Sequence, residues 1–194
     1  MNSASRRLWL LLVLLIAVIG LGFGIEAVLT GRINQPFGHT QGGHLVGWAG
    51  LALIALVFVY PARKRHYRTR SWPRGWFRVH MAAGVLGPSL IFVHAGAHLH
   101  ALVPVLALVT LVIVVVSGVI GQGVHYVAVR RLYERQHELA DRHLDPVEIE
   151  GQVHRLAAEE RVFRLWQTIH APATLLFVVL TILHVVAALY FGGL

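Results

Sequence analysis

Long apolar runs that carry almost no charge constrain this chain more than any other feature of its sequence. Of its 194 residues, 56% are hydrophobic and only 13% are charged, whereas about 25% of the residues in a typical soluble domain are charged. A helix needs about 20 apolar residues to cross the hydrocarbon core of a bilayer. Five runs meet this requirement, at residues 8–29, 44–60, 76–98, 102–127 and 165–191. The sequence therefore predicts one all-α integral membrane domain over residues 1–194, with five transmembrane helices forming a bundle.

The first run follows Arg6 and Arg7, an arrangement that signal peptides share. Its apolar stretch is longer than the about 7–15 residues of a signal-peptide core, and no small-residue cleavage site is obvious after it. We therefore expect the first span to be retained. Pro88 and Pro172 fall inside spans, where membrane helices tolerate proline because neighbouring groups satisfy the freed carbonyls.

The distribution of basic residues predicts the orientation of the spans. Sixteen of the seventeen lysines and arginines lie at the N-terminus, in or beside the 61–75 loop, or in the 128–164 segment, and Arg32 alone lies on the other side. Cytoplasmic loops are enriched in lysine and arginine. The N-terminus and both segments are therefore predicted to be cytoplasmic, in a multi-pass protein of the cell inner (plasma) membrane. Spans three and five then run in the same direction, from the cytoplasm outward.

The net charge of +8 borders apolar spans, so membrane lipid is the expected partner and nucleic acid is not. Within the 128–164 segment, apolar residues at helical spacing predict two short amphipathic helices broken around Asp145 and Pro146. Such a segment could dock a cytoplasmic redox subunit or lie on the lipid headgroups. The sequence leaves both alternatives open.

The chain has no cysteine but thirteen histidines. The lack of cysteine excludes disulfides, cysteine-ligated iron–sulfur clusters, thiolate zinc sites and covalently attached haem. Several histidines lie deep inside apolar runs. An ionisable side chain at such a position is costly to bury and is usually functional.

Four histidines form two pairs with the same spacing. His80 and His94 lie 14 residues apart on span three, and His170 and His184 lie 14 residues apart on span five. This separation places both members of a pair on nearly one face of their helix, about 21 Å apart along its axis. Because the two spans are predicted to be parallel, His80 faces His170 near the cytoplasm and His94 faces His184 near the outer surface. Each facing pair can supply both axial ligands of one haem, so the sequence predicts two b-type haems in the bundle.

Two alternatives compete with haem at these histidines. A buried histidine can simply bond to a neighbour or mark a proton path, but the shared spacing, depth and direction argue against four independent cases. Zinc is a weaker alternative, because neither level has cysteine or carboxylate ligands nearby.

Residues beside the four histidines are consistent with the haem prediction. Arg78 and Arg164 lie near the inner histidines and are candidates to pair with haem propionates, or they are only the basic flank of a span. Gly84 and Gly87 lie between the ligands of span three, where a flat macrocycle benefits from missing side chains. The glycines of span four serve the same purpose or ordinary helix packing.

The segments 77–98 (FRVHMAAGVLGPSLIFVHAGAH) and 166–191 (WQTIHAPATLLFVVLTILHVVAALYF) resemble the haem-bearing helices of the dihaem membrane cytochrome b group, which includes the ferric-reductase-like transmembrane domains. The likeness covers spans two to five and implies transmembrane electron transfer. Fused ferric reductases continue into a flavin and nicotinamide domain, whereas this sequence ends at Leu194. The resemblance therefore implies electron exchange with separate flavin, iron–sulfur or cytochrome c subunits, or with quinone.

Three further residues near the outer ends of the spans are candidates for a quinone site. His44 opens span two, His98 lies one turn beyond His94, and Glu26 is the only acidic residue outside the cytoplasmic segment. Quinol oxidation needs a proton acceptor, which each of them could provide. His98 is also the best substitute for the outer haem ligand, and solvation at the interface is the alternative role for both histidines.

These features predict the electron-transfer subunit of a membrane oxidoreductase complex, with no catalytic residue of its own. It would carry electrons between the quinone pool and a partner redox protein. Two alternatives remain at this point: a ferric-reductase-like module that reduces extracellular metal, and a haem-free, histidine-rich membrane anchor or transporter.

Overall fold

A computed structural model describes residues 3–66, 74–97, 100–139 and 161–191. Side chains are described for these residues except at 3–5, 7, 8, 11, 66, 74, 124–139 and 161–164. Within these ranges the chain is helical, with a 3-10 turn at Phe37–His39 and no strand. The α-helices are α1 (Ser3–Ile33), α2 (Gln41–Val57), α3 (Val59–His66), α4 (Arg74–Ala95), α5 (Leu102–Leu139) and α6 (Arg161–Tyr190).

Five stretches of these helices are long and apolar enough to cross a membrane, and they match the five predicted spans. They are Leu12–Ile33, Gln41–Arg65, Gly75–Ala95, Leu102–Gly123 and Leu165–Tyr190. Many large apolar side chains on them point away from the protein, as at Ile16, Leu45 and Leu175, each at least 66% exposed. An apolar outer surface of this kind suits lipid contact. The composition and length of the helices are those of a multi-pass membrane protein.

Two helix ends differ from the predicted limits. Helix α4 ends at Ala95 rather than at residue 98, because Gly96 adopts a left-handed conformation (φ 53°) and its N–H bonds back to the Phe92 carbonyl at 3.0 Å. Helix α5 continues to Leu139, so the first part of the 128–164 segment extends span four instead of forming a separate helix. The predicted break around Asp145 and Pro146 lies outside the described residues.

The helices pack as two antiparallel pairs joined by α1. Helix α2 packs along α4, α5 packs along α6, and α1 contacts both α4 and α5. An apolar core formed by α1, α2, α5 and α6 lies between the pairs. It contains Leu15, Ile54, Leu111, Val115, Val119 and Phe177.

The helices that carry the four histidines remain apart. In the described part of the chain, no Cα atom of α4 lies within contact distance of one in α6. Each of these helices is instead backed by its own partner, α2 or α5. The fold thus leaves a space between α4 and α6, with the histidines on its two sides.

Candidate cofactor site

Both histidines of α4 are oriented by backbone carbonyls of α2. His80 Nδ1 lies 2.9 Å from the Val57 oxygen, and His94 Nδ1 lies 2.9 Å from the Gly43 oxygen. A carbonyl oxygen can only accept a hydrogen bond, so Nδ1 carries the proton in both rings. The neutral ring then has its lone pair on Nε2, which is the nitrogen free to bind a metal.

The two bonds repeat along the α2–α4 pair with a period of seven residues. Val57 pairs with His80 and Gly43 with His94, and midway between them Gly50 and Gly87 lie backbone to backbone. A Cβ built on Gly87 would lie 3.2 Å from the Gly50 oxygen, and one built on Gly50 would lie 3.1 Å from the Gly87 oxygen. This close approach keeps α2 near enough for both carbonyls to reach the histidine rings.

The His94 ring lies directly on the backbone of α2. A Cβ built on Gly47 would lie 2.9 Å from His94 Nδ1 and 3.0 Å from its Cγ, so this position accommodates the ring only as glycine. The start of α2 is fixed by Thr40, whose hydroxyl oxygen accepts the Gly43 N–H at 3.0 Å. The residue that caps the helix therefore also places the carbonyl that orients His94.

Around His80 the inner level is completed by aromatic rings. Tyr60 lies 5.4 Å from His80 and 5.5 Å from Phe77, measured between ring centroids. These contacts join the end of the α2–α3 stretch to the start of α4.

On α6, His170 is held by a side chain of α5. Its Nδ1 lies 2.7 Å from Ser117 Oγ, and the same hydroxyl donates to the Val114 oxygen at 2.8 Å. Because the single hydroxyl proton goes to the carbonyl, Ser117 must accept from Nδ1–H. His170 thus presents the same nitrogen, Nε2, as the two histidines of α4.

Trp166, one turn before His170, stacks on the histidine ring. The two centroids are 4.9 Å apart with an interplanar angle of 23°, and the indole N–H donates to the Ser117 carbonyl at 2.6 Å. A Cβ at Gly121 would collide with the indole, so this glycine of α5 makes room for Trp166.

An open cavity of about 730 Å³ lies at the outer end of the bundle between α4 and α6. His94 and His184 both line it, so the carboxyl-terminal parts of α4 and α6 are at the same end of the bundle. The two helices are therefore parallel, as predicted. Ile54 and Phe177, from the apolar core, also line this cavity.

The structure brings the four histidines together in the predicted combinations. His184 is within Coulombic range of His94, and His80 is within Coulombic range of His170. Each ring is half-buried. The two levels are separated along the bundle by the 14-residue spacing within each helix.

Comparisons with known protein families, with curated proteins and with solved structures found no match. The geometry of the histidines is thus the basis for assigning a ligand.

The arrangement fits bis-histidine haem better than a metal bound by protein ligands alone. Among the described residues, no group of three or more histidine, aspartate or glutamate side chains could hold a metal ion. A haem iron needs only two axial nitrogens from the protein. Three of the four histidines leave Nε2 free for such a bond, and the space between α4 and α6 is of the size that cofactor sites occupy, about 300–1,000 Å³.

Of the other predicted site residues, His44 lies beside the outer level and Glu26 does not. His44 lines the cavity, with its ring centroid 6.1 Å from that of His94. Glu26 is buried (3% exposed), accepts a hydrogen bond from Thr30 at 2.6 Å and packs against Gly96. It is not among the residues that line this cavity, and the position suits an anchor between α1 and the end of α4.

The remaining predicted residues are less fully described. Arg78 is exposed at the inner end of α4. The Arg164 side chain and the whole of His98 lie outside the described residues. A propionate contact for the arginines and a substitute-ligand role for His98 stay predictions.

Sequence reasoning missed several residues that shape the site. The α2 carbonyls left no signal, because any residue supplies one, but Ser117 is a hydroxyl inside a strongly apolar run. His39 and His100, which read as residues of a surface loop and of a span end, also line the outer cavity. Of the glycines predicted to leave room for haem, Gly84 has no atom within 4 Å of a built Cβ, whereas Gly87 packs against α2.

Proposed function

We propose that this chain is a dihaem membrane cytochrome b, with one haem between His80 and His170 and a second between His94 and His184. The observation that carries the proposal is the shared state of three rings. His80, His94 and His170 each have Nδ1 committed as a donor to a neighbouring helix, which leaves Nε2 free. Histidines that bind metals are almost always held in this way.

When bound, each haem would supply a one-electron carrier in a low-dielectric setting. The chain's own residues supply the rest. Helices α2 and α5 fix the ring orientations, and the apolar faces of the bundle exclude water. Parallel α4 and α6 place the two levels about 21 Å apart along the bundle, which suits the transfer of electrons across the bilayer.

We further propose that the chain is an electron-transfer subunit in the plasma membrane, exchanging electrons with quinone and with a partner redox protein. The positive-inside rule supports a cytoplasmic N-terminus and an inner position for His80 and His170. Because the chain has no cysteine, one cysteine introduced at exposed Gln35 and another at exposed Arg65 can test this orientation separately. An impermeant maleimide added to intact cells should label the Gln35→Cys variant only, and the reverse result would invert the topology.

The haem proposal is tested with purified full-length protein in detergent. We expect a reduced-minus-oxidised spectrum with a b-type alpha band and two haems per chain by the pyridine haemochrome assay. The His39→Ala variant, which removes an exposed histidine outside the four, should retain both haems. A purified, folded protein without haem would refute the proposal and favour an anchor or a transporter.

A further inference from the structure

Ser117 is a buried hydroxyl in an apolar span, 8% exposed, and all of its described polar contacts involve the inner histidine level. Its hydroxyl donates to Val114 at 2.8 Å and accepts from His170 Nδ1–H at 2.7 Å. Its carbonyl accepts the Trp166 indole N–H at 2.6 Å. Trp166 in turn stacks on His170, so Ser117 and the histidine are connected in two ways.

This contact differs from the corresponding contacts of the other three histidines. His80 and His94 bond to backbone carbonyls, which no substitution removes directly. Among the described residues, none forms a hydrogen bond with the His184 ring. In the described part of the chain, Ser117 is therefore the one side chain that bonds to an axial-ligand candidate at Nδ1.

We propose that Ser117 is a positioning residue that lowers the reduction potential of the inner haem through His170. This inference rests on the proposed dihaem function. An N–H···O bond at Nδ1 makes the imidazole a stronger electron donor at Nε2. A stronger donor stabilises ferric over ferrous iron, and hydrogen bonds around a haem ligand are one of the means by which a protein sets its potential.

The inner haem can be studied alone in a His184→Ala background, in which we expect the outer haem to be lost. In this background the Ser117→Ala variant should shift the reduction equilibrium of the remaining haem toward the ferrous form by about tenfold. That factor corresponds to a rise of about 59 mV for one electron. The measurement is a potentiometric titration followed at the alpha band.

Ser89→Ala is the matched control. Ser89 lies in α4 and its hydroxyl donates to the Val85 carbonyl at 2.6 Å, so it makes the same kind of backbone contact without a histidine partner. We expect its midpoint potential to equal that of the parent, and we expect Ser117→Thr, which keeps the hydroxyl, to restore the parental value. If Ser117→Ala loses haem, Ser117→Cys carries the test, because the weakly accepting sulfur should still raise the potential.

The outcomes separate this inference from the function on which it rests. Absence of haem from the wild-type protein would refute the dihaem function itself. A haem of unchanged potential in Ser117→Ala, or in Ser117→Cys where the alanine variant binds none, would overturn the role of Ser117 alone. An equal rise in Ser89→Ala would also overturn it, since the effect would then follow from any lost hydroxyl.

Discussion

The imidazole ring is the unit on which the site depends, and each ring is fixed through its Nδ1. A ring free to rotate would present either nitrogen and lose orientational entropy on binding metal. The bonds from His80 and His94 to α2 remove that freedom before a ligand is present. The resulting preorganisation explains why polar partners occur at these points of otherwise apolar helices.

Gly47 tests the orientation of one ring. We expect Gly47→Ala to displace the His94 ring, because the added Cβ would lie 2.9 Å from Nδ1. Haem affinity at the outer level should fall by about 10–100-fold, the usual effect of disturbing a residue that orients a metal ligand, while the inner haem stays. Haem titration of the reconstituted protein measures both.

Gly42→Ala is the control for this change, because its Cβ would meet only ordinary contacts at 3.6 Å or more. Equal affinities for the Gly47 and Gly42 variants would show that the His94 position does not depend on the close approach of α2.

At the scale of the helices, the α2–α4 pair sets the separation on which both α4 histidines depend. Gly50 and Gly87 permit backbone contact at the midpoint, and the two carbonyl–histidine bonds lie seven residues to either side. The α5–α6 pair uses side chains instead, with Ser117 and Trp166 as the connecting residues. The two halves of the site are thus built from different materials for the same result.

Gly87→Ala and Gly84→Ala are the same substitution one turn apart, with opposite expectations. The Gly87 Cβ would lie 2.9 Å from the Ile54 side chain, whereas Gly84 faces open space. We expect Gly87→Ala to destabilise the protein by about 1–3 kcal/mol and Gly84→Ala to leave its stability unchanged. Thermal unfolding in detergent measures both variants, and equal melting temperatures would contradict the packing role of Gly87.

The sequence predicted the features that follow from periodicity and charge. Five apolar runs became five helices, and the spacing of His80 and His94 predicted one histidine stripe correctly. Local backbone geometry was beyond its reach: the end of α4 depends on a left-handed Gly96, and the extension of α5 to Leu139 crosses a change in composition. The carbonyl partners could not be predicted, because they depend on the register between α2 and α4.

At the scale of the whole molecule, the account depends on α4 and α6 being parallel yet separate. Antiparallel packing of α2 with α4, and of α5 with α6, leaves the two histidine helices facing each other without backbone contact. An apolar core containing Ile54 and Phe177 lies at the floor of the outer cavity. This architecture predicts two sites stacked along the bundle, each shared between the two helix pairs.

The most direct test of that central claim is the haem-to-protein ratio of two double variants, measured by the pyridine haemochrome assay on folded, monodisperse protein. Removing His94 and His184 together eliminates both ligands of one level, so the variant should keep one haem per chain. Removing His80 and His94 together breaks both levels, and no bis-histidine haem should remain. One haem retained in the second variant, or none in the first, would contradict the pairing of histidines between α4 and α6.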